Sequence, residues 1–321
     1  MNGGFTESCG VNTMDETKFI EEKKFQQLVQ TMDPGSKLLR TWRVSGGVSA
    51  QVTAIEFEQS DGKKKKMIVR QHGETDLKRN PRIAADEFKL LQILKSKRLL
   101  VPAPYHFDSS GAIFPNPFIV IEFIESKQKD IPRNVNTAIH ELATSLSNIH
   151  KIKGSNPELS FLPKQEEIYA EKLEKRPAII DESLNEGRIR EMLESVWPFP
   201  KVNKTVLLHG DYWPGNILWK DGQFIAILDW EDAALGDPLA DFANSRLEIL
   251  WAYGMAAMND FTNQYKSMCT AIEFKYLPYW DLFAALRPAS RISEWGLDER
   301  TEKMMRERHQ WFVSRAFEKI K

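Results

Sequence analysis

The chain has only two cysteines, Cys9 and Cys269, too far apart for a Cys-x-x-Cys pair and without a histidine cluster beside either. A disulfide framework and a zinc site are both unsupported, and the count suits a reducing, cytoplasmic setting. The N-terminal stretch MNGGFTESCGVNT is polar and lacks the apolar core of a signal peptide. No window approaches the ~18–20 apolar residues that span a bilayer. Nor is there an excess of either charge: 44 basic against 45 acidic residues leave a net charge of −1. That balance argues against a nucleic-acid partner, which normally demands a basic surplus. One dense basic run, Lys63–Lys66, follows Asp61-Gly62 and reads as a solvated hairpin tip. Repeats at solenoid periods are missing as well.

What is present fits a soluble globular protein of two domains or one two-lobed unit. Residues 17–32 predict a polar helix that stops at Asp33-Pro34-Gly35. Strands are expected at Leu38–Val44, Val48–Glu58 and Lys66–Arg70, then a helix over Ala84–Lys95 with apolar residues at helical spacing. Pro102 and Pro104 force an extended chain, and Phe118–Ile124 reads as a buried strand. Ser126–Arg133 is expected to be a linker. Val135, Ile139, Leu142, Leu146 and Ile149 share one face of a helix at Val135–His150. Two short strands, Thr205–Leu208 and Phe224–Leu228, precede a mostly helical remainder from Leu239. The organisation expected is α+β: a small antiparallel-sheet lobe over 1–125 and a larger, mostly helical lobe over 126–321.

The chemistry concentrates at Leu207–Ala233, LLHGDYWPGNILWKDGQFIAILDWEDA. Asp211 and Asn216 sit on a loop after one short strand, and Asp229 ends the next, so two neighbouring strands are expected to bring all three to one edge. Two carboxylates and an amide suit phosphoryl transfer, which demands positioning and charge neutralisation more than covalent participation. Mg²⁺ prefers oxygen ligands and keeps several waters, so one carboxylate and one amide suffice beside nucleotide phosphates. A second carboxylate can take or orient the proton of an attacking hydroxyl.

Protein kinases carry His-Arg-Asp, four intervening residues and Asn, followed later by a metal-binding Asp. Here His209-Gly210-Asp211, Asn216 and Asp229 follow that order, and Gly236–Ala243 (GDPLADFA) extends it. The three linked pieces resemble the aminoglycoside phosphotransferase/choline kinase family, with its bilobal protein-kinase-like fold. The resemblance implies that Asp211 is the catalytic base or orienting carboxylate, that Asn216 and Asp229 hold Mg²⁺, and that ATP or another nucleoside triphosphate is the donor. Asp241 is expected to support the loop, and His209 to be a hydrogen-bonded structural residue. Trp213 and Trp230 are expected to pack in the core.

In the small lobe the resemblance implies nucleotide contacts at Gly46 and Gly47, within Ser45–Ser49, where a glycine turn can bring backbone N–H groups to phosphates. It also implies a strand cation paired with a helix glutamate: Glu87 takes the second place, but Arg70 stands where the family has lysine. Backbone groups around Glu122, Phe123 and Ile124 are expected to meet the adenine edge.

Only twelve positions separate Asp229 from Asp241. That leaves no room for the activation segment on which a protein substrate would dock, so a small-molecule hydroxyl acceptor is expected. Glu231 and Asp232 could draw a cationic acceptor, whereas Arg287 and Arg291 share a helix face and could hold an anion, with surface salt bridging the simpler role. The acceptor and the oligomeric state are not legible in the sequence. Two alternatives keep the fold: a catalytically weak nucleotide-binding regulatory or scaffold protein, favoured only by Arg70, and a metal-dependent hydrolase with water as acceptor.

Overall fold

A computed structural model describes residues 11–44, 50–126, 132, 134–289 and 291–320, with side chains described from residue 19 onward. Gly46 and Gly47 lie outside the described residues, as does most of the expected linker. The chain divides into two compact units, Met1–Ser96 with Pro102–Ile124, and Lys97–Val101 with Glu125–Lys321.

The first unit begins with helix α1 (Val11–Met32), followed by strands β1 (Lys37–Arg43), β2 (Ala50–Glu58) and β3 (Lys64–His72). Helices α2 (Glu74–Arg79) and α3 (Ile83–Ser96) lead to β4 (Pro104–Asp108) and β5 (Phe118–Glu122). The strands form one antiparallel sheet in the order β1-β2-β3-β5-β4. Strand alternation explains its two faces. Met67 and Val69 of β3 join Phe25, Leu28 and Val29 of α1 in a core with Ile55, Phe57, Phe118 and Val120. The intervening Arg70 and His72 point the other way and meet Glu87, which sits among the buried residues of α3. The hairpin tip is held by Asp61, which accepts from the Lys63 ammonium at 2.7 Å.

The second unit contains α4 (Val135–His150), α5 (Gln165–Glu174), α6 (Glu186–Val196) and β6 (Val206–Leu208). It continues with β7 (Ile217–Lys220), β8 (Gln223–Ile227), β9 (Ala234–Gly236), α7 (Pro238–Tyr253), α8 (Met255–Met268), α9 (Leu277–Ala285) and α10 (Glu299–Ile320). Helix α4 has the bounds that its apolar period predicts, and Asn134 caps it by accepting the Asn136 N–H. Helix α7 is buried over most of its circumference, including Leu239, Phe242, Leu247 and Leu250, because α8, α9 and α10 all pack on it.

One expectation is corrected. The strands before Asp211 and Asp229 are not neighbours: β6 pairs with β9, and β8 pairs with β7, in separate two-stranded sheets. The β7–β8 hairpin turns at Asp221-Gly222, both with positive φ (50° and 78°). An Asp-Gly pair between apolar runs is the signal for such a turn.

Candidate active site

Asp211, Asn216 and Asp229 are brought to one locality by backbone hydrogen bonds rather than by one sheet. The Leu228 N–H donates to the Asn216 carbonyl at 2.8 Å, which ties the residue before Asp229 to the second predicted ligand. His209 is buried and forms a second tie. Its Nε2 lies 2.9 Å from the Leu228 carbonyl, and its Nδ1 accepts the Asp211 N–H at 3.2 Å. Those partners fix the Nε2-protonated tautomer and give His209 the structural role expected of it. Trp230, buried against the His209 ring at 4.5 Å, closes this region as core, whereas Trp213 remains substantially exposed.

Asp241 anchors the loop from below. Its carboxylate accepts the N–H of His209 at 2.6 Å and of Gly210 at 2.9 Å, and His150 Nε2 lies 3.4 Å away. It occupies the first turn of α7, where the helix dipole favours a carboxylate, and Asp237 caps the same helix ahead of Pro238. Burial alone would raise the Asp241 pKa, but the hydrogen bond and charge of His150, with His209, hold it below the usual aspartate value.

Gly210 is glycine for a steric reason. Its φ is +84°, and a Cβ there would lie 2.0 Å from the Asp232 carbonyl oxygen. Gly210→Ala is therefore expected to destabilise the second unit by at least ~1–2 kcal/mol from the left-handed backbone alone, with the clash added to it. Thermal denaturation monitored by circular dichroism tests this; an unchanged melting temperature would contradict it.

The Asp211 carboxylate is held from two sides. Arg287 donates from Nη2 to its Oδ1 at 2.6 Å and from Nη1 to the Gly210 carbonyl at 2.7 Å. Asn216 Nδ2 donates to its Oδ2 at 3.2 Å and to its backbone carbonyl at 2.9 Å. Both partners of that amide nitrogen are oxygens, so the Asn216 side-chain carbonyl is the atom left to face a ligand. Asp211 and Asn216 share one loop, as expected, and the hydrogen bonds between them are a finding of the structure. Arg287 is a neighbour of Asp211 that the sequence reading assigned to surface pairing; it lies just past the end of α9, 76 residues from its partner. Burial acts to lower the Arg287 pKa, but Asp211, Tyr169, Asp232 and Glu248 together raise it above the usual arginine value. Glu248 on α7 completes this surrounding, its carboxyl pushed up to about 7 chiefly by burial.

Asp229 adopts φ +63° at the end of β8. Aspartate tolerates that left-handed region better than most residues. The oxygen-only character of Asp229 and Asn216 fits a hard divalent cation. In the first unit, Arg70 Nη1 donates to Glu87 Oε1 at 2.8 Å, both side chains being buried. Arginine therefore makes the strand–helix ion pair for which the resemblance had led to the expectation of a lysine. Glu122 ends β5, an inner strand of the sheet, and its Oε2 accepts the Ala103 N–H at 3.0 Å just ahead of β4. Phe123 packs edge-on against Trp42 at 5.7 Å. Ile124, half-buried, ends the first unit.

A small antiparallel-sheet unit, a mostly helical unit and an Asp–Asn–Asp loop constellation define a protein-kinase-like phosphotransferase architecture. The model of the phosphotransferase enzyme family (APH) matches residues 42–267, more than two thirds of the chain, and the chain belongs to that family. Among solved structures it resembles LicA in complex with AMP, with a TM-score of 0.60 at 21% identity over 92% of this chain and 98% of that one. It also resembles amicoumacin kinase hAmiN in complex with AMP-PNP, Ca²⁺ and amicoumacin, with a TM-score of 0.59 at 13% identity over 94% and 96%. At these identities the likeness establishes the fold. Mouse acyl-CoA dehydrogenase family member 10 is 24% identical over 193 residues, which cover 56% of this chain. The chain spans only 18% of that protein's length.

Proposed function

We propose that this chain is a small-molecule kinase that moves the γ-phosphoryl group of ATP, or another nucleoside triphosphate, to an acceptor hydroxyl. The observation that carries the reading is the Asp211 carboxylate, fixed between Arg287 and Asn216 on a loop clamped by Asp241. The hydroxyl oxygen bonds to the γ-phosphorus while the bond from that phosphorus to the β–γ bridging oxygen breaks. The nucleoside diphosphate leaves with that electron pair, and Asp211 orients the hydroxyl and receives its proton. Asn216 and Asp229 would hold Mg²⁺, which supplies charge neutralisation at the phosphates. From the first unit, Arg70 paired with Glu87 is assigned to the phosphates, and the chain edge at Glu122–Ile124 to the base. Family membership and the nucleotide-bound structures of similar fold support this assignment of the donor.

Acceptor-dependent ADP release across a panel of hydroxyl compounds tests the reading. ATP binding without turnover would replace it with a nucleotide-binding regulatory role, and acceptor-independent turnover with a hydrolase.

The metal assignment has its own test. Asp229→Asn keeps a residue that tolerates positive φ but removes a charge worth about 4 kcal/mol at ~4 Å in a partly screened site. The Mg²⁺ concentration for half-maximal activity is expected to rise at least tenfold. An unchanged Mg²⁺ dependence would remove Asp229 from the metal site.

A further inference from the structure

Helices α7 to α10 of the second unit enclose a cavity of about 170 Å³, with Arg246, Met258, Asp281, Phe312, Arg315 and Lys319 in its lining. Neither Asp211 nor Arg287 lines it. The volume is the liquid share of roughly five waters, well below the ~300 Å³ at which pockets for drug-sized ligands begin. A nucleotide or an aminoglycoside is too large for it; a small ion is not.

Two of the lining charges are buried and poorly satisfied. Arg246 is 5% exposed and Asp281 3%, and Arg246 Nη2 lies 3.5 Å from Asp281 Oδ2. That is longer than the ~2.7–2.9 Å of a charge-assisted hydrogen bond. The rings of Phe242 and Phe312 flank the guanidinium at 5.8 and 5.7 Å and offer it no oxygen. Arg246 Nε and Asp281 Oδ1 are buried without a hydrogen-bond partner among the described residues. A buried ion pair offsets its desolvation only when further hydrogen bonds satisfy the remaining donors and lone pairs. The lining therefore presents an unmet donor and an unmet acceptor on facing side chains. Its other charges are cationic: Arg315, which Glu318 answers at 2.7 Å, and Lys319. Burial pushes the Asp281 carboxyl up to about 6, although Arg246, Lys319 and Lys266 all act to lower it.

We propose that this cavity is a binding site for hydrogen phosphate, whose oxygens accept from Arg246 and Lys319 while its own O–H donates to Asp281 Oδ1. The guanidinium fork suits the tetrahedral anion, and three cations in the lining outweigh one carboxylate. Asp281 acts as the selector. A fully ionised oxyanion such as sulfate would meet that carboxylate with lone pairs and like charge and leave Oδ1 unsatisfied. Hydrogen phosphate brings the donor that Oδ1 needs, so the two anions differ in affinity by the cost of a buried acceptor left unpaired.

Calorimetric titration of the full chain with inorganic phosphate and with sulfate, at equal ionic strength and without nucleotide, tests the site independently of the kinase reading. At about pH 8 Asp281 is ionised, and of the two anions only phosphate keeps a proton. Phosphate is expected to bind about tenfold more tightly than sulfate, or better. Lys319→Met, a change to an exposed residue near the end of α10, is expected to weaken phosphate at least threefold and to leave the melting temperature without phosphate unchanged. Asp281→Asn keeps the shape of the side chain and removes its charge, so the preference for phosphate over sulfate is expected to fall below threefold. No measurable phosphate binding, equal affinity for the two anions, or a full preference retained by Asp281→Asn would each overturn the proposal. So would equal phosphate affinity in wild type and Lys319→Met, because phosphate bound elsewhere on the chain is indifferent to that residue.

Discussion

Asp211→Asn is expected to lower acceptor-dependent ADP release by about 10²–10⁴-fold while leaving nucleotide binding nearly unchanged. Asparagine keeps the size of the side chain, and its oxygen can still accept from Arg287, so the clamp on the Gly210 carbonyl survives. In the proposed mechanism, what disappears is the group assigned to take the hydroxyl proton and the negative charge assigned to orient it. The loss should therefore fall on kcat, with a smaller change in the KM for ATP. Stopped-time ADP assays and an ATP-dependent thermal shift on the same variant separate the two. A variant retaining more than a tenth of wild-type kcat would remove Asp211 from the proton's path, whatever the acceptor proves to be.

The other large effect falls on stability. Asp241→Ala removes a buried carboxylate that accepts two backbone N–H groups and faces His150. Breaking a buried charged network by deleting one partner costs ~3–5 kcal/mol, because the donors left behind cannot reach water. Urea unfolding should show the midpoint falling with little change in slope. Asp241→Asn should cost less, since one oxygen remains to accept while its amide nitrogen opposes an N–H donor. The pH dependence has a definite sign. The Asp241 pKa is held below its ordinary 3.8, so between the folded value and 3.8 the unfolded chain binds more protons. The stabilisation is complete above that range and is lost as pH falls through the folded value. Equal acid stability of wild type and Asp241→Asn would contradict this.

The two large effects differ in how far the sequence exposes them. The spacing of His209, Asp211 and Asn216 is local, and it points to one loop carrying the acid and the amide; their 3.2 Å contact is visible only in the structure. The reading of Asp241 as a support also rests on a motif within a few residues of a helix start. Arg287 is different: its partner is 76 residues away, and no periodicity in the chain around it distinguishes a surface pair from a grip on Asp211. Strand β7 was not among the expected strands, although Asp221-Gly222 between apolar runs signals its hairpin, and the pairing of β6 with β9 was not legible because three-residue strands carry no register information of their own.

The sequence by itself determined the α+β class, the helix at Val135–His150, and membership of the phosphotransferase family through its loop motif, because hydrophobic period and motif spacing act over a few residues. Only the tertiary structure decided that Arg287 holds Asp211 and that Arg70 completes the ion pair with Glu87. Those are electrostatic facts, and they depend on which helices pack together and on which charges that packing withdraws from water.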